Sequence, residues 1–305
     1  MAKAVSRRAV LTGALALGAM SVGGIQTAHA REAPLPQRID LPLIGPVDGE
    51  QLHAMTFNVR VGVDSGVRAW KARLPAIVTL LQAEQPTIIG TQEGRLDQIQ
   101  DLVDELPDYG CVRIGRDADG TGETCAIFYR TDRLEELDSG HLWLSETPDV
   151  PGSIGWGASY PRIFTWVEFR DLTTDRQFCA LNTHFDHRSE EARRQSAFLL
   201  RDWMQEKALP CVLTGDFNTE PDSEPHQTLV GDGRHDTWSH EEQRITPEYG
   251  TMNQWNPVPD ETTNRIDWVI GTEQFAVHQV GINTWVTAEQ NVPSDHWPVQ
   301  AVVSL

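Results

Sequence analysis

The sequence predicts an α/β sandwich, with sheets covered by helices in one layered domain. Three observations predict it. Short apolar runs with the length of buried strands recur along the chain. Longer segments with apolar residues at helical spacing separate several of them. The 305 residues are 39% hydrophobic and 23% charged, which suits one large layered domain and excludes a disordered or collagen-like chain.

Residues 31–50 hold Pro34, Pro36, Pro42 and Pro46 and read as an extended lead-in to a domain over 51–305. Residues 52–59 form an apolar run containing Asn58, expected as a buried strand. Leu74, Ile77, Val78 and Leu81 predict a helix over 70–82, with Pro75 near its first turn or at a bend. A second strand over 87–90 leads into Gln92-Glu93. The stripe Leu96, Ile99, Leu102, Val103, Leu106 predicts an amphipathic helix. A hairpin follows, with strands near 111–114 and 125–129. Strands over 163–169 and 178–183 are joined by a polar turn at 173–176. A helix over 190–205 precedes a strand at 211–214, and strands at 266–270, 277–282 and 299–303 complete the pattern. Many strands and about four helices pack best as sheets with helical covers.

Cys111 and Cys125 flank the Gly-rich turn Asp119-Gly120-Thr121-Gly122 and could face each other across that hairpin, which makes them the candidate pair for a disulfide and leaves their oxidation state open. Cys179 and Cys211 lie in apolar runs and read as buried thiols.

The amino terminus reads as an address. Arg7-Arg8 precede an apolar stretch rich in Ala, Leu and Gly, and Ala28-His29-Ala30 supplies a small-residue cleavage site. The paired arginines resemble the twin-arginine type of export signal. The apolar run is shorter than the roughly 20 residues of a membrane span. Residues 1–30 are therefore expected to be removed, leaving an extracellular or periplasmic monomer without a membrane anchor. The full chain has 25 basic and 44 acidic residues, a net charge of −19. Residues 1–30 hold Lys3, Arg7 and Arg8 and no acid, so cleavage leaves 22 basic residues and a net charge of −22. A protein that grips a long polyanion needs a Lys/Arg footprint. Nucleic acid is thus disfavoured, while a site that recruits its own cations is compatible with this charge.

Reactive residue types recur at strand ends: Asn58, Glu93, His184, Asp216, Asn218, Asp267 and Asp295-His296. Strand-end loops are where a rigid scaffold presents chemistry. Each residue alone has an ordinary explanation: a turn Asn, a helix-capping Asp, a core His, or an Asp267–Arg265 pair. Together they supply carboxylates for a hard cation, amides and two histidines. The motifs Thr56-Phe57-Asn58-Val59-Arg60, Gly90-Thr91-Gln92-Glu93, Asn182-Thr183-His184-Phe185-Asp186-His187, Thr214-Gly215-Asp216-Phe217-Asn218, Arg265-Ile266-Asp267 and Ser294-Asp295-His296-Trp297-Pro298-Val299 run in one order over nearly the whole mature chain. In that set the chain resembles the DNase-I-like endonuclease/exonuclease/phosphatase superfamily. The stretch Trp143-Leu144-Ser145-Glu146-Thr147-Pro148 resembles its branch with broad phosphoesterases and deadenylase-like members.

The resemblance implies a four-layer α/β sandwich, two mixed sheets packed face to face and flanked by helices, with the site at one edge. It implies Mg²⁺, with Mn²⁺ or Ca²⁺ as alternatives, held by Glu93 and Asn58 with Asp295 nearby. Mg²⁺ prefers oxygen ligands and usually takes one or two protein carboxylates. Phosphoester hydrolysis needs an activated water and neutralised phosphate oxygens. The resemblance implies Asp216 as the group that orients or deprotonates the water, assisted by Asn218. It implies His296, held by Asp267, as phosphate contact or proton carrier, and His184 as a second phosphate contact. Arg162, Arg60, Asn182 and His187 are candidate substrate contacts, with Asp186 and His187 alternatively bracing the His184 loop.

Two departures matter. Arg60 stands where some superfamily nucleases carry an acid. Gly250-Thr251-Met252-Asn253-Gln254-Trp255 lacks the histidine many relatives carry there. Gly215-Asp216-Phe217-Asn218 without a Gly-Asn-His-Asp/Glu cluster argues against a calcineurin-like phosphatase, and no Gly-x-Ser-x-Gly marks a serine hydrolase. The expectation is an exported, metal-dependent phosphodiesterase or phosphatase. A nuclease is the alternative, and a silent binding module is disfavoured by the complete residue set. Trp156 and Trp255, in polar or Gly-rich loops, are candidates to stack on a base or sugar, with ordinary packing as the alternative.

Overall fold

The computed structural model describes residues 39–305. The expected export signal and the first part of the lead-in lie outside the described residues. The elements are β1 (Gln51–Asn58), α1 (Trp70–Glu84), β2 (Ile88–Arg95), α2 (Leu96–Glu105), β3 (Tyr109–Val112), β4 (Glu123–Arg130), β5 (Leu134–Trp143), β6 (Ile163–Asp171), β7 (Gln177–His184), α3 (Glu190–Lys207), β8 (Cys211–Asp216), α4 (Glu224–Val230), β9 (Arg234–Asp236), β10 (Gln243–Arg244), β11 (Asp267–Thr272), β12 (Ala276–Ile282) and β13 (Val299–Ser304).

Two mixed sheets form, ordered β10-β12-β13-β1-β2-β4-β3 and β5-β6-β7-β8-β11-β9. Each is built around one parallel pair with a helical crossover, β1-α1-β2 and β7-α3-β8. The sheets pack face to face, β1 against β8 and β2 against β7. Leu52 and Ala54 of β1 meet Val212 and Val269 of the opposite sheet, while Met55 and Phe57 point the other way onto Ile77 and Leu81 of α1. Leu200 and Met204 of α3 cover Leu213 and Ile270 on the far face. This is the expected four-layer sandwich. Burial on both faces explains why β1 reads as a continuous apolar run rather than an alternating one.

Three departures have local reasons. Pro75 sits in the second turn of α1, on its exposed side, where a carbonyl deprived of its partner faces water. β5 was not expected. It is an edge strand whose Glu135, Glu136, Leu137 and Asp138 are exposed, so it carries no apolar alternation. The hairpin disulfide is overturned. Cys111 lies opposite Phe128 and shares its helix-covered face, whereas Cys125 faces the other way with Ile127, and all four cysteines are free. Cβ atoms on opposite faces of a sheet cannot be bridged.

Arg265 pairs with Asp236, at 2.7 Å, and with Glu248 rather than with Asp267. Burial opposes ionisation of Asp236, but Arg265, His226 and the Trp238 N–H outweigh it and hold the carboxyl at about 2. Its ordinary value is 3.8, so these contacts together contribute about 2 kcal/mol that is present above pH 4 and lost as pH falls toward 2. Asp236→Asn is expected to lower stability at pH 7 by about 3 kcal/mol, because Arg265 loses its buried charge partner and keeps only the exposed Glu248. Urea melts should show the gap to the parent narrowing below pH 4; a pH-independent gap contradicts the assignment.

Candidate active site

The topology itself gathers the reactive residues. β1 and β2 run parallel and bring Asn58 and Glu93 to the carboxyl end of the pair; β7 and β8 do the same with His184 and Asp216. β11 runs antiparallel to β8 and begins there, placing Asp267 opposite Asp216. β13 runs antiparallel to β1, so the Asp295-His296 segment that leads into it reaches the same edge. Carboxyl ends of parallel pairs are the usual place for a site in such sheets.

Glu93 is re-aimed by an irregularity between Gln92 and Arg95, where its φ is +64°. A bulge of this kind turns a side chain out of the strand's alternation. Arg60 and Asn218 share the left-handed backbone, at φ +60° and +50°. Strain of this sort gathers at functional positions. Arg73, buried in α1, braces the floor: it donates to the carbonyls of Val59, Arg60, Arg68 and Pro293. One guanidinium thus ties the Asn58 loop to the Asp295 loop.

The side chains meet in a cavity of about 240 Å³. Asn58 donates to Glu93 Oε1 at 3.1 Å and to Asp216 Oδ2 at 2.9 Å. His296 Nδ1 donates to Asp267 Oδ2 at 2.9 Å, and its Nε2 lies 3.8 Å from Asp216. Asn218 donates to His184 Nε2 at 3.0 Å, and its N–H donates to Asp216 Oδ1. Burial, then the Asp267 charge, pushes the Asp216 carboxyl up to about 7. Burial disfavours charged His296, but Asp267 and Asp216 outweigh it and hold its pKa well above the ordinary value. His184 is driven well below its own by burial and then by Arg162, so it is neutral and free to accept from Asn218. Burial opposes charge on Glu93 too, yet the Val61 N–H, His296 and Asn58 hold its pKa low. A buried acid, Asp216, and a partly buried one, Glu93, carry opposite shifts side by side, the pattern of a site that divides labour between its carboxyls.

The donor set fits a divalent cation. Glu93, Asp216, Asp267 and Asp295 converge, with Arg60 and His296 as their cationic partners. Glu93, His184 and Asp216 place ligand atoms within 4.8 Å of one another, as do Asp216, Asp267 and His296. Asp267 Oδ1 is buried without a donor. Such a surplus of buried carboxyl groups calls for positive charge. The Asn58 oxygen accepts from the Arg60 N–H, and its amide N–H₂ donates to Glu93 and Asp216, so Asn58 orients those two carboxyls. Arg60 reaches Glu93 at 3.5 Å and Asp295 at 3.6 Å, so it lies among the acids.

Of the other candidates, Arg162 and His187 line the cavity, and Arg162 Nη2 lies 3.2 Å from His187 Nδ1. Asp186 braces the loop by accepting from the backbone of Ser159, Arg188 and Ser189. Asn182 does not face the cavity. It lies between the sheets, donates to Thr91 and Ala126 carbonyls, and accepts from Gln92 and Thr214. Trp255 has Arg68 and Arg73 near its ring, each at 5.3 Å, and packs on the core. Trp156 packs beside the α3 core and lines a separate groove. Met252, from the segment lacking the expected histidine, lines the cavity and bridges to His296.

Arg116, Glu123 and Tyr160 also line the cavity and were not singled out from the sequence. No local spacing marks them: Arg116 and Glu123 flank the β3–β4 turn, and Tyr160 sits in an irregular loop before Pro161.

The same arrangement of sheets occurs in solved proteins. The chain is 35% identical to an endonuclease/exonuclease/phosphatase family protein of Bacteroides thetaiotaomicron, covering 84% of this chain and 98% of that one, with a TM-score of 0.79. It is 35% identical to a mannosyl-6-phosphatase of the same organism, covering 83% of this chain and all of that one, with a TM-score of 0.78. A protein of Acanthamoeba polyphaga mimivirus is 34% identical over half of this chain; the match spans 61% of the viral protein. The profile of the Endonuclease/Exonuclease/phosphatase family matches residues 55–296, an interval that holds every carboxyl and histidine of the cavity. With that match, and with two sheets delivering those groups to one edge, this chain belongs to the endonuclease/exonuclease/phosphatase family and is a phosphoesterase of that family.

Proposed function

We propose that the chain is an exported, divalent-cation-dependent hydrolase that directs water onto the phosphorus of a phosphoester. The observation that carries this reading is the shared cavity: Glu93, Asp216, Asn218, His184 and His296 line it, with Asn58 and Asp267 bonded directly behind. Glu93 and Asp216 would hold the cation, with Asp295 beside them. A cation bound there neutralises phosphate oxygens and makes water a better nucleophile. Mg²⁺ suits the oxygen donors, and Mn²⁺ tolerates a nearby imidazole as well.

The chain's own residues supply the rest. Asp216 receives a proton from the attacking water or orients it, and Asn218 holds that carboxyl through its N–H. His296, charged and fixed by Asp267, donates to a phosphate oxygen or the leaving oxygen. Neutral His184, with Nε2 engaged by Asn218, contacts the phosphate from the other side. Similarity to a mannosyl-6-phosphatase supports phosphoester hydrolysis on this architecture. The charge of −22 after loss of residues 1–30 weighs against long nucleic acids as the preferred substrate. The Arg7-Arg8 signal supports twin-arginine export, and no helix of the described residues is long and apolar enough to cross a membrane.

The purified mature chain is expected to hydrolyse bis-p-nitrophenyl phosphate or p-nitrophenyl phosphate with Mg²⁺ or Mn²⁺. EDTA should abolish this, and added metal should restore it. A panel including DNA, RNA and phospholipid separates the hydrolase from a nuclease. Hydrolysis that persists unchanged in EDTA contradicts the proposal, and DNA or RNA as the best substrate would favour the nuclease.

A further inference from the structure

One part of the cavity lining is basic and partly unpaired. Arg162 is 4% exposed, and its Nε and Nη1 are buried with no hydrogen-bond partner. Its nearest carboxylate, Asp186, lies 3.6 Å from Nε and is already engaged by three backbone N–H groups. Arg116 stands beside it, bound to Glu123 at 2.6 Å and lying over the Tyr160 ring at 4.9 Å. Tyr160 in turn stacks on His187. Burial and then the Arg116 charge depress the pKa of Arg162, a strain that an anion between them relieves. A buried guanidinium N–H without an acceptor costs free energy, and a charged oxygen is its best partner.

We propose that Arg116 and Arg162 form a clamp for the terminal, doubly charged phosphate of a phosphomonoester, so that the site selects monoesters over diesters. This rests on the hydrolase reading above and narrows its substrate class. The two ester types differ at one oxygen. A monoester presents a second charged oxygen where a diester carries carbon. Against these guanidiniums, that oxygen finds donors, whereas the carbon leaves the Arg162 N–H groups unpaired. Glu123 keeps the Arg116 fork in place by pairing one side of it. The remaining cavity, bordered by Val61 and Met252, is left for the single organic group.

Selectivity and binding test this separately. The parent enzyme should prefer p-nitrophenyl phosphate to the bis ester. Arg162→Gln and Arg116→Gln should each lower that kcat/KM ratio by roughly 10- to 100-fold. Arg116 is the less buried of the two, so its variant preserves the test if Arg162→Gln does not fold. Calorimetry on the parent should show orthophosphate binding at least about 10-fold tighter than dimethyl phosphate, and folded variants should lose that difference. An unchanged ratio in folded variants, or equal affinity of the parent for the two anions, overturns the clamp. If neither ester is hydrolysed, the hydrolase reading falls and calorimetry alone decides: a phosphate preference lost in the variants supports the clamp, and its absence from the parent refutes it.

Discussion

Asp216→Asn is expected to lower kcat by roughly 10³- to 10⁴-fold while leaving the protein folded. Asp216 is the one carboxyl that faces Asn58, Asn218, His184 and His296 at once. An amide there cannot accept a proton from water, and it holds a cation far less well. The effect on stability has the opposite sign. The folded Asp216 carboxyl titrates at about 7 against an ordinary 3.8 because burial and Asp267 disfavour its charge. An acid that holds its proton more tightly when folded loses stability as pH rises through that window. The neutral amide removes this cost. In EDTA at pH 8 the variant should therefore melt a few degrees higher than the parent, at roughly 2–4 °C per kcal/mol for a domain of this size. A variant that keeps its activity refutes the role of Asp216. A variant that loses both activity and stability marks it as a structural residue.

Gly90→Val is expected to be the most damaging single change outside the cavity, preventing folding or lowering stability by at least about 4 kcal/mol. Gly90 lies in β2, directly against side chains of the second sheet. A Cβ there would lie 2.0 Å from Thr214 Oγ1 and 2.6 Å from Asn182 Oδ1. Those atoms belong to the polar network that joins the sheets: Gln92 donates to Asn182 and Thr56, and Thr214 donates to Asn182. Separating the sheets to admit a side chain also leaves buried amides unpaired, which adds to the steric cost. Gly90→Ala should show the same defect at smaller size, measured as a lower urea midpoint. Because Glu93 follows three residues later, kcat should fall with it. An unchanged midpoint in Gly90→Ala would show that the sheets are not pinned at this point.

Much of the cavity was legible because its residues sit next to strong local signals. Asn58, His184 and Asp216 each end a strand buried on both faces, Glu93 lies two residues before the end of another, and such strands announce themselves. Asp267 and His296 border strands of the same kind. Residues without such a signal escaped. Arg116 and Tyr160 come from irregular segments, and their partners are set by packing across the two sheets. Asn182 was misplaced for the complementary reason. It is two residues from His184 and so points to the same side of β7. That side is the buried inter-sheet face everywhere except at the strand's end, where His184 emerges beside the cavity. Likewise, proximity to a turn suggested Cys111 bonded to Cys125, but their register puts them on opposite faces.

The sequence by itself determined the two strand–helix–strand halves, their order, and the carboxyl, amide and imidazole groups at their ends. Those follow from periodicity and residue type, which are local properties of the chain. Only the tertiary structure decided which faces meet, how Asp216 and Glu93 come to opposite pKa shifts, and which arginines line the cavity with them. Burial and charge proximity are set by the packing of one sheet on the other, and no spacing within a single strand encodes that distance.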